Sequence, residues 1–247
     1  TTREEDFVKD LYITSTHDTI LFFTNFGRVY SLKAYDIPES SRQAKGTAIV
    51  NLLNLSRDEQ VTAVVPVRDE EESSSLTMIT KNGLIKKTGY SEFKNIRKNG
   101  LNAINLREGD SLIAVRLTKK NDEIILVTKN GMSIRFGENA VRSMGRSAQG
   151  VKSIELKDDD EVVSFDIAEN EKYLLVISQG GYGKMTKMSE YRNQNRGGIG
   201  LITYKITEKT GKVISAKVID KSDEVMMITE KGIVIRIQTE GISVMGR

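Results

Sequence analysis

Residues 123–136 read EIILVTKNGMSIRF, and this stretch decides the fold. The run from Glu123 to Thr128 predicts one β-strand, and the run from Met132 to Phe136 predicts a second. Between them lies Lys129-Asn130-Gly131. An Asn-Gly pair between two apolar runs is the strongest short hairpin signal, because both central residues of a type I′ turn need positive φ. The stretch therefore predicts an antiparallel hairpin closed by a type I′ turn.

The same sequence pattern occurs five times along the chain. It consists of three or four apolar residues, a Thr or Ser, a tight turn ending in glycine, and a second strand carrying Lys or Arg. The turn glycines are Gly27, Gly83, Gly131, Gly181 and Gly232, separated by 56, 48, 50 and 51 residues. A period of this size indicates one supersecondary unit copied in tandem. We therefore expect function to belong to equivalent positions of several copies rather than to one pocket.

Two further strands flank the hairpin of the third copy. The run from Leu112 to Leu117 predicts a strand before it, and Gly150 opens a strand from Val151 to Leu156 after it. Four short antiparallel strands per copy predict an all-β, propeller-like fold, because a single blade has an open edge that ring closure or stacking covers. A two-sheet sandwich is the alternative, and its strands need not repeat at this interval. The predicted repeats span roughly residues 6–59, 60–110, 111–160, 161–211 and 212–247 of a single domain.

Composition excludes several classes of protein. No apolar run in the 247 residues is long enough to cross a bilayer, and no signal peptide is visible. The absence of cysteine excludes disulfides and thiolate metal sites, and the single histidine, His17, cannot form a His-rich metal site. We expect a soluble, cytoplasmic domain without a metal or cofactor of its own.

A second element follows the first four hairpins, 17 to 19 residues after the turn glycine. It is another glycine preceded by basic residues, as in Arg97-Lys98-Asn99-Gly100 and Arg146-Ser147-Ala148-Gln149-Gly150. Glycine permits a bend at which phosphate could approach backbone N–H groups, and Arg supplies a permanent forked charge. The alternative interpretation is that these glycines are required by turns and that each Arg is a solvated loop charge.

These cations predict a DNA-binding edge. The predicted path consists of Arg42, Lys45, Arg97, Lys98, Arg146 and Arg196, with Arg247 where a fifth copy would begin. Further cations follow the hairpin turns, and they are Arg28, Lys86, Lys87, Arg135, Lys184, Lys187 and Arg236; all of them except Lys187 are assigned to the DNA-binding surface. Acidic runs fall in other loops, at residues 69–72 and 158–161. The small formal charge of +3 is therefore compatible with a basic rim and acidic surfaces elsewhere.

Two other classes of function remain as alternatives. A propeller that binds proteins would present an apolar or aromatic patch, yet only 6% of the residues are aromatic and none is Trp. An enzyme would need a set of catalytic side chains or a cofactor-binding motif, and the sequence contains neither. His17 is best explained as a turn or packing residue, Asp159 and Asp160 are adjacent, and no glycine-rich loop precedes a helix. We predict no catalytic residue in this chain.

The sequence resembles the C-terminal domain of the A subunit of DNA gyrase. The residues that carry the resemblance are Glu4-Glu5-Asp6-Phe7, Ser15-Thr16-His17-Asp18, the run from Gly27 to Lys33, the run from Ile49 to Leu53, the run from Arg142 to Arg146, Gly150-Val151 and the run from Gly181 to Lys184. The resemblance implies a β-pinwheel, a propeller variant whose blades exchange a strand with their neighbours. It also implies that duplex DNA wraps around the basic outer edge and that the wrap supports negative supercoiling.

The resemblance further implies partners and a hallmark motif. The partners would be the remainder of the gyrase A chain and the gyrase B chain, within an ATP-dependent type IIA topoisomerase whose catalytic tyrosine lies outside this sequence. The similar domain in the A chain of topoisomerase IV is the lesser alternative. The family's hallmark is a basic, glycine-rich heptad just upstream of the Glu-Glu-Asp-Phe string. A degenerate copy of it is Gln194-Asn195-Arg196-Gly197-Gly198-Ile199-Gly200, which lacks the basic residues at its second and sixth positions.

Overall fold

A computed structural model describes residues 12–41, 44–68, 73–228 and 234–247, and all structural statements below concern these residues. Most of the first strand expected between Asp6 and Thr14, as well as Arg42 and the acidic run 69–72, lies outside them. The described part is built from β-strands and short 3-10 turns, which confirms the all-β prediction. The strands are β1 Thr19–Thr24, β2 Arg28–Lys33, β3 Val61–Val67, β4 Ser75–Thr80, β5 Leu84–Gly89, β6 Leu101–Asn102, β7 Leu112–Thr118, β8 Glu123–Thr128, β9 Met132–Gly137, β10 Val151–Lys152, β11 Val162–Ala168, β12 Tyr173–Ser178, β13 Gly183–Lys187, β14 Leu201–Ile202, β15 Val213–Ile219, β16 Glu224–Ile228 and β17 Val234–Gln238.

The strands form a series of small antiparallel sheets, or blades. Three described sheets have four strands, in the orders β3-β1-β2-β6, β7-β4-β5-β10 and β11-β8-β9-β14. A further sheet has the order β15-β12-β13, and β16 pairs with β17. In the three four-stranded sheets the hairpin forms the middle of the blade, as the repeated pattern predicts. The four-stranded propeller-like architecture is thereby confirmed.

Each complete blade takes strands from two successive repeats. The sequence pattern groups β7 to β10 as one unit, yet β7 pairs with β4 and β10 pairs with β5 of the preceding hairpin. β6 and β14 likewise pair with the preceding hairpins, through β2 and β9. This is the strand exchange that the resemblance implies. β10 has two residues rather than the six predicted, because the Ser153 N–H turns to the Gly83 carbonyl at 2.9 Å.

The hairpin turns differ from the predicted type. In the turn from Thr128 to Gly131, Gly131 has φ +81° whereas Asn130 does not have positive φ. The Gly131 N–H donates to the Thr128 carbonyl at 3.0 Å, and the Met132 N–H donates to the Thr128 hydroxyl at 3.1 Å. This is a turn with one left-handed glycine at its end, so the type I′ prediction was wrong. The Thr24 and Thr80 hydroxyls accept the equivalent N–H, which explains why the pattern carries Thr before these turns. The Ser178 hydroxyl instead donates to the Tyr182 carbonyl at 3.2 Å.

The hydrophobic core lies between consecutive blades. Leu21 and Phe23 of the first blade pack against Leu76 and Met78 of the second, with Phe93 beside them. Comparable clusters lie between the second and third blades and between the third and fourth. Both faces of an internal blade are therefore buried, which stabilises a series of blades where a single one would be marginal.

The order of the strands within each sheet shows which strands lie at the outer edge. The strands β3, β7, β11 and β15 pack against one another in succession and form the inner side. The two-residue strands β6, β10 and β14 form the outer edge of their sheets. We call the segments that lead into this edge the connectors, and they comprise residues 94–100, 142–150 and 192–200, with residues 243–247 in the corresponding position after β17.

Candidate nucleic-acid interface

The connectors lie within long stretches that contain basic but no acidic residues. Residues 93–107, 139–154 and 191–207 contain no Asp or Glu, and neither do residues 40–56 and 241–247. Each stretch contains at least one Arg or Lys. The connectors 94–100, 142–150 and 192–200 each precede an outermost strand.

Several connector cations have free side chains. Arg97 and Lys98 are exposed and form no ion pair with a described residue. Arg247 in the last connector is also exposed, and so is Lys45 in the loop between β2 and β3. These side chains can therefore meet an anionic partner without first breaking a contact with a described residue. Arg42 belongs to the same predicted path but lies outside the described residues.

Sequence reasoning missed two exposed cations of the same kind. Arg142 and Arg192 stand four residues before Arg146 and Arg196, and both side chains are exposed. The repeated spacing of four residues was the signal that could have found them. Arg192 lines an open groove of about 830 Å³ beside its connector, together with Asn139 and Asn195.

Arg146 and Arg196 are half-buried and partly engaged. Arg146 Nε lies 3.9 Å from Glu92 Oε2. Arg196 Nε donates to the Ala140 carbonyl at 3.0 Å, and another nitrogen of its guanidinium donates to the Lys152 carbonyl. Arg196 therefore fastens the heptad-like segment 194–200 to the preceding connector while keeping its charge at the surface.

The structure places Lys86 and Lys87 inside the protein, although the sequence suggests that they flank the basic path. The Lys86 ammonium is fully buried and donates to the carbonyls of Ala103 and Arg146. Burial lowers the pKa of Lys86 to about 8. Lys87 Nζ lies 2.6 Å from Glu138 Oε1 in a buried ion pair. Neither side chain is available at this surface.

Arg135 is likewise an internal residue. Its guanidinium is 5% exposed and donates to the carbonyls of Met188 at 3.0 Å and Tyr191 at 3.1 Å. The same group pairs with Glu123, with 2.7 Å between Arg135 Nε and Glu123 Oε2, and it also donates to Asn170. These contacts join the third blade to the start of the next connector.

The remaining strand cations have internal partners as well. Lys184 is half-buried, which lowers its pKa, and it donates to the Gly246 carbonyl at 2.6 Å. Arg28 donates to the Asn99 carbonyl and lies 5.5 Å from the Tyr30 ring centroid. Arg236 is exposed but paired with Glu224. The predicted cations therefore divide into exposed cations such as Arg97 and Lys98, the partly engaged connector arginines Arg146 and Arg196, and strand cations with internal partners.

The recurring glycines have a structural role. Gly150 has φ +93°, and a Cβ there would lie 2.6 Å from the Ile85 carbonyl oxygen of the neighbouring strand. A Cβ at Gly100 would lie 2.8 Å from the Tyr30 ring. These glycines let a connector reach the preceding blade, so the turn interpretation accounts for them without a phosphate. Gly46 differs, because nothing lies within 4 Å of its Cβ position.

Acidic residues of the run 158–161 contact the turns of two consecutive hairpins. Glu161 pairs with Lys81 at 2.9 Å and with Lys129 at 3.1 Å, and hydrogen bonds from these lysines lower its pKa. Asp160 accepts the Asn130 N–H at 2.8 Å. The acidic run 158–161 thus joins consecutive hairpin turns. None of these contacts involves a connector residue.

No helix in the described part of the chain is long and apolar enough to cross a membrane. Among the same residues, no three His, Asp or Glu side chains come together as metal ligands. His17 is exposed in a turn. The chemistry that the connectors offer is therefore the binding of anions by guanidinium and ammonium groups.

Comparison with known proteins agrees with this geometry. The family model described as "DNA gyrase C-terminal domain, beta-propeller" matches residues 18–68, 74–119, 122–169, 172–220 and 223–247, which is five repeats. The DNA gyrase A protein of Clostridium acetobutylicum is 52% identical over the whole chain, which spans 30% of that protein. The gyrase A protein of Salmonella typhimurium is 46% identical over 99% of the chain and 28% of its own length.

Two solved structures share the fold. A crystal structure of the C-terminal domain of DNA topoisomerase IV has a TM-score of 0.85 at 29% identity, and it covers 94% of this chain and 73% of its own. A structure of a DNA gyrase A C-terminal domain has a TM-score of 0.82 at 27% identity, with 94% and 76% covered. The chain spans less than a third of the length of the two gyrase A proteins.

Proposed function

Because this chain belongs to the family of DNA gyrase C-terminal domains, we propose that it binds duplex DNA along its connectors. The observation that carries the proposal is the run of acid-free connectors with exposed cations such as Arg97, Lys98 and Arg142. Such cations contact phosphates, which are the same at every base pair. Binding should therefore be independent of DNA sequence and require no cofactor.

The connectors also support wrapping of the duplex. Smooth bending of a few tens of base pairs costs about 1–6 kcal/mol, so one cationic site cannot hold a bend. Cations at the outer edges of successive blades can offset this cost because the contacts are distributed along one curved path. We infer that DNA follows the outer edge of the blades from one connector to the next.

In the whole protein, this wrap would support negative supercoiling by an ATP-dependent type IIA topoisomerase. The partners would be the remainder of the gyrase A chain and the gyrase B chain in a cytoplasmic holoenzyme. Curated relatives at 46–52% identity are gyrase A proteins, which favours this assignment over topoisomerase IV. The chemistry of strand cleavage would belong to other parts of that assembly.

The direct test replaces Arg97 and Lys98 with Ala and measures affinity for random-sequence duplex at several salt concentrations. Each lost phosphate contact lowers the slope of log K against log salt by about 0.9, so the double variant should lose about 2. The matched control is Lys119→Ala/Lys120→Ala, which removes two exposed lysines from the loop between β7 and β8. An unchanged slope in the connector variant, or an equal loss in the control, would count against the proposal.

Wrapping needs a separate measurement. The chain is bound to relaxed circular DNA, the DNA is nicked and resealed, and the linking number is read after the protein is removed. A change that grows with bound protein supports a wrap of defined hand. Binding with no change in linking number would reduce the proposal to attachment without wrapping.

A further inference from the structure

Two lysines in different blades make the same unexpected contact. Lys86 and Lys184 each stand three residues after a turn glycine, on β5 and β13. Each points its ammonium at a backbone carbonyl of a Met-Gly-Arg sequence in the next connector. Lys86 Nζ donates to the Arg146 carbonyl at 2.6 Å, and Lys184 Nζ donates to the Gly246 carbonyl at 2.6 Å.

Lys86 also binds a second chain segment. Its ammonium donates to the carbonyl of Ala103, immediately after the outer strand β6. One buried charge therefore joins the connector that carries Arg97 and Lys98 to the connector that carries Arg146. No described carboxylate pairs with it directly, since both of its hydrogen-bond acceptors are carbonyls and Glu92 only partly offsets the lowering of its pKa by burial.

Burial of an ammonium without a carboxylate partner is costly, which shows in the lowered pKa of Lys86. An apolar side chain of similar volume would fill the site without that cost. The first and third blades have Tyr30 and Ile134 at the equivalent position three residues after the turn glycine. The lysines therefore occur in the two blades that precede a Met-Gly-Arg connector, which ties their presence to the connector rather than to the fold of a blade.

We propose that Lys86 and Lys184 are positioning residues, which hold neighbouring DNA-binding connectors in register along the outer edge. This rests on the proposed function. Neither residue contacts phosphate in this scheme. Each instead fixes the backbone from which Arg146 or Arg247 projects, so that a long duplex meets successive connectors on one curve.

The test compares two random-sequence duplexes. One has about 12 base pairs, roughly one helical turn, and engages a single connector. The other has about 40 base pairs and has to bend across several connectors. Lys86→Met and Lys184→Met should each weaken binding of the long duplex by about three- to tenfold, with less than twofold change for the short one. Lys184 is only half-buried, so its variant remains informative if Lys86→Met does not fold.

The matched control is Lys187→Met, which removes an exposed charge from the same strand as Lys184. It should leave both affinities within twofold of the parent chain. Equal losses on both duplexes in the Lys86 and Lys184 variants, or no loss on either, would overturn the positioning role. A parent chain that binds neither duplex would instead refute the proposed function, so the two failures are distinguishable.

Discussion

Replacement of Arg135 by Ala should destabilise the protein and leave its contacts with DNA in place. The side chain is buried, and its removal leaves the Tyr191 carbonyl and Glu123 Oε2 without this donor. The Met188 carbonyl keeps the Tyr191 N–H, and Glu123 Oε1 keeps the Asn193 amide. Breaking a buried ion pair from one side costs about 3–5 kcal/mol. The Glu123 side chain is 28% exposed and can regain water, so we expect the lower end, about 3 kcal/mol.

Thermal unfolding followed by circular dichroism measures this cost. For a chain of this size, about 3 kcal/mol should lower the Tm by about 6–12 °C if unfolding is cooperative. The matched control is Arg142→Ala, because Arg142 is exposed and has no ion-pair partner among the described residues. The control should change the free energy of unfolding by less than about 0.5 kcal/mol.

The DNA measurement separates the two possible roles of Arg135. Below the Tm, Arg135→Ala should retain the salt slope of the parent chain, whereas Arg142→Ala should lose about 0.9 from that slope. An Arg135 variant with unchanged Tm and a reduced salt slope would refute the reasoning. It would mean that this guanidinium is a phosphate ligand rather than a link between blades.

Two further predictions concern stability. The pKa of Lys86 is about 8 in the folded chain and 10.5 in the unfolded chain, so the unfolded chain binds more protons between these pH values. The free energy of unfolding should therefore rise by about 1–2 kcal/mol from pH 8 to about pH 9.5, as measured by urea titration. Lys86→Met should lack most of that rise, and an identical pH profile in the variant would contradict the assignment. Gly150→Ala should lower the free energy of unfolding by about 2 kcal/mol or more. Residue 150 has φ +93°, and the added Cβ would lie 2.6 Å from the Ile85 carbonyl oxygen. Gly145→Ala, with nothing within 4 Å of its Cβ position and no positive φ, should be nearly neutral, and equal effects of the two would argue against the close approach.

The hairpins could be predicted from sequence because their determinants are local. Each hairpin is marked by alternating apolar residues, a hydroxyl before the turn and a glycine at its end. These features lie within about a dozen residues of one another, so the repeated pattern can be recognised from the sequence. The turn type was wrong because an Asn-Gly pair suits two turn geometries. The Thr128 hydroxyl and the approach of the next connector near Tyr204 favour the one with a single left-handed residue.

The acid-free stretches can be read from the sequence, but the residues at which each connector begins and ends cannot be predicted from it. The pairing of β10 with β5 joins residues more than 60 positions apart, and no local pattern states which hairpin a two-residue strand will join. Arg142 and Arg192 were missed for this reason. Only the course of the connector shows that they face solvent beside Arg146 and Arg196.

The sequence by itself determined the repeated hairpin, the all-β class and the presence of basic segments, because these depend on neighbours along the chain. Tertiary structure alone decided which cations face solvent. Lys86 and Lys98 are both lysines in short basic stretches, yet the first is buried and the second exposed. The difference arises because carbonyl groups distant in sequence surround the Lys86 ammonium, and only the packing of successive blades brings them there.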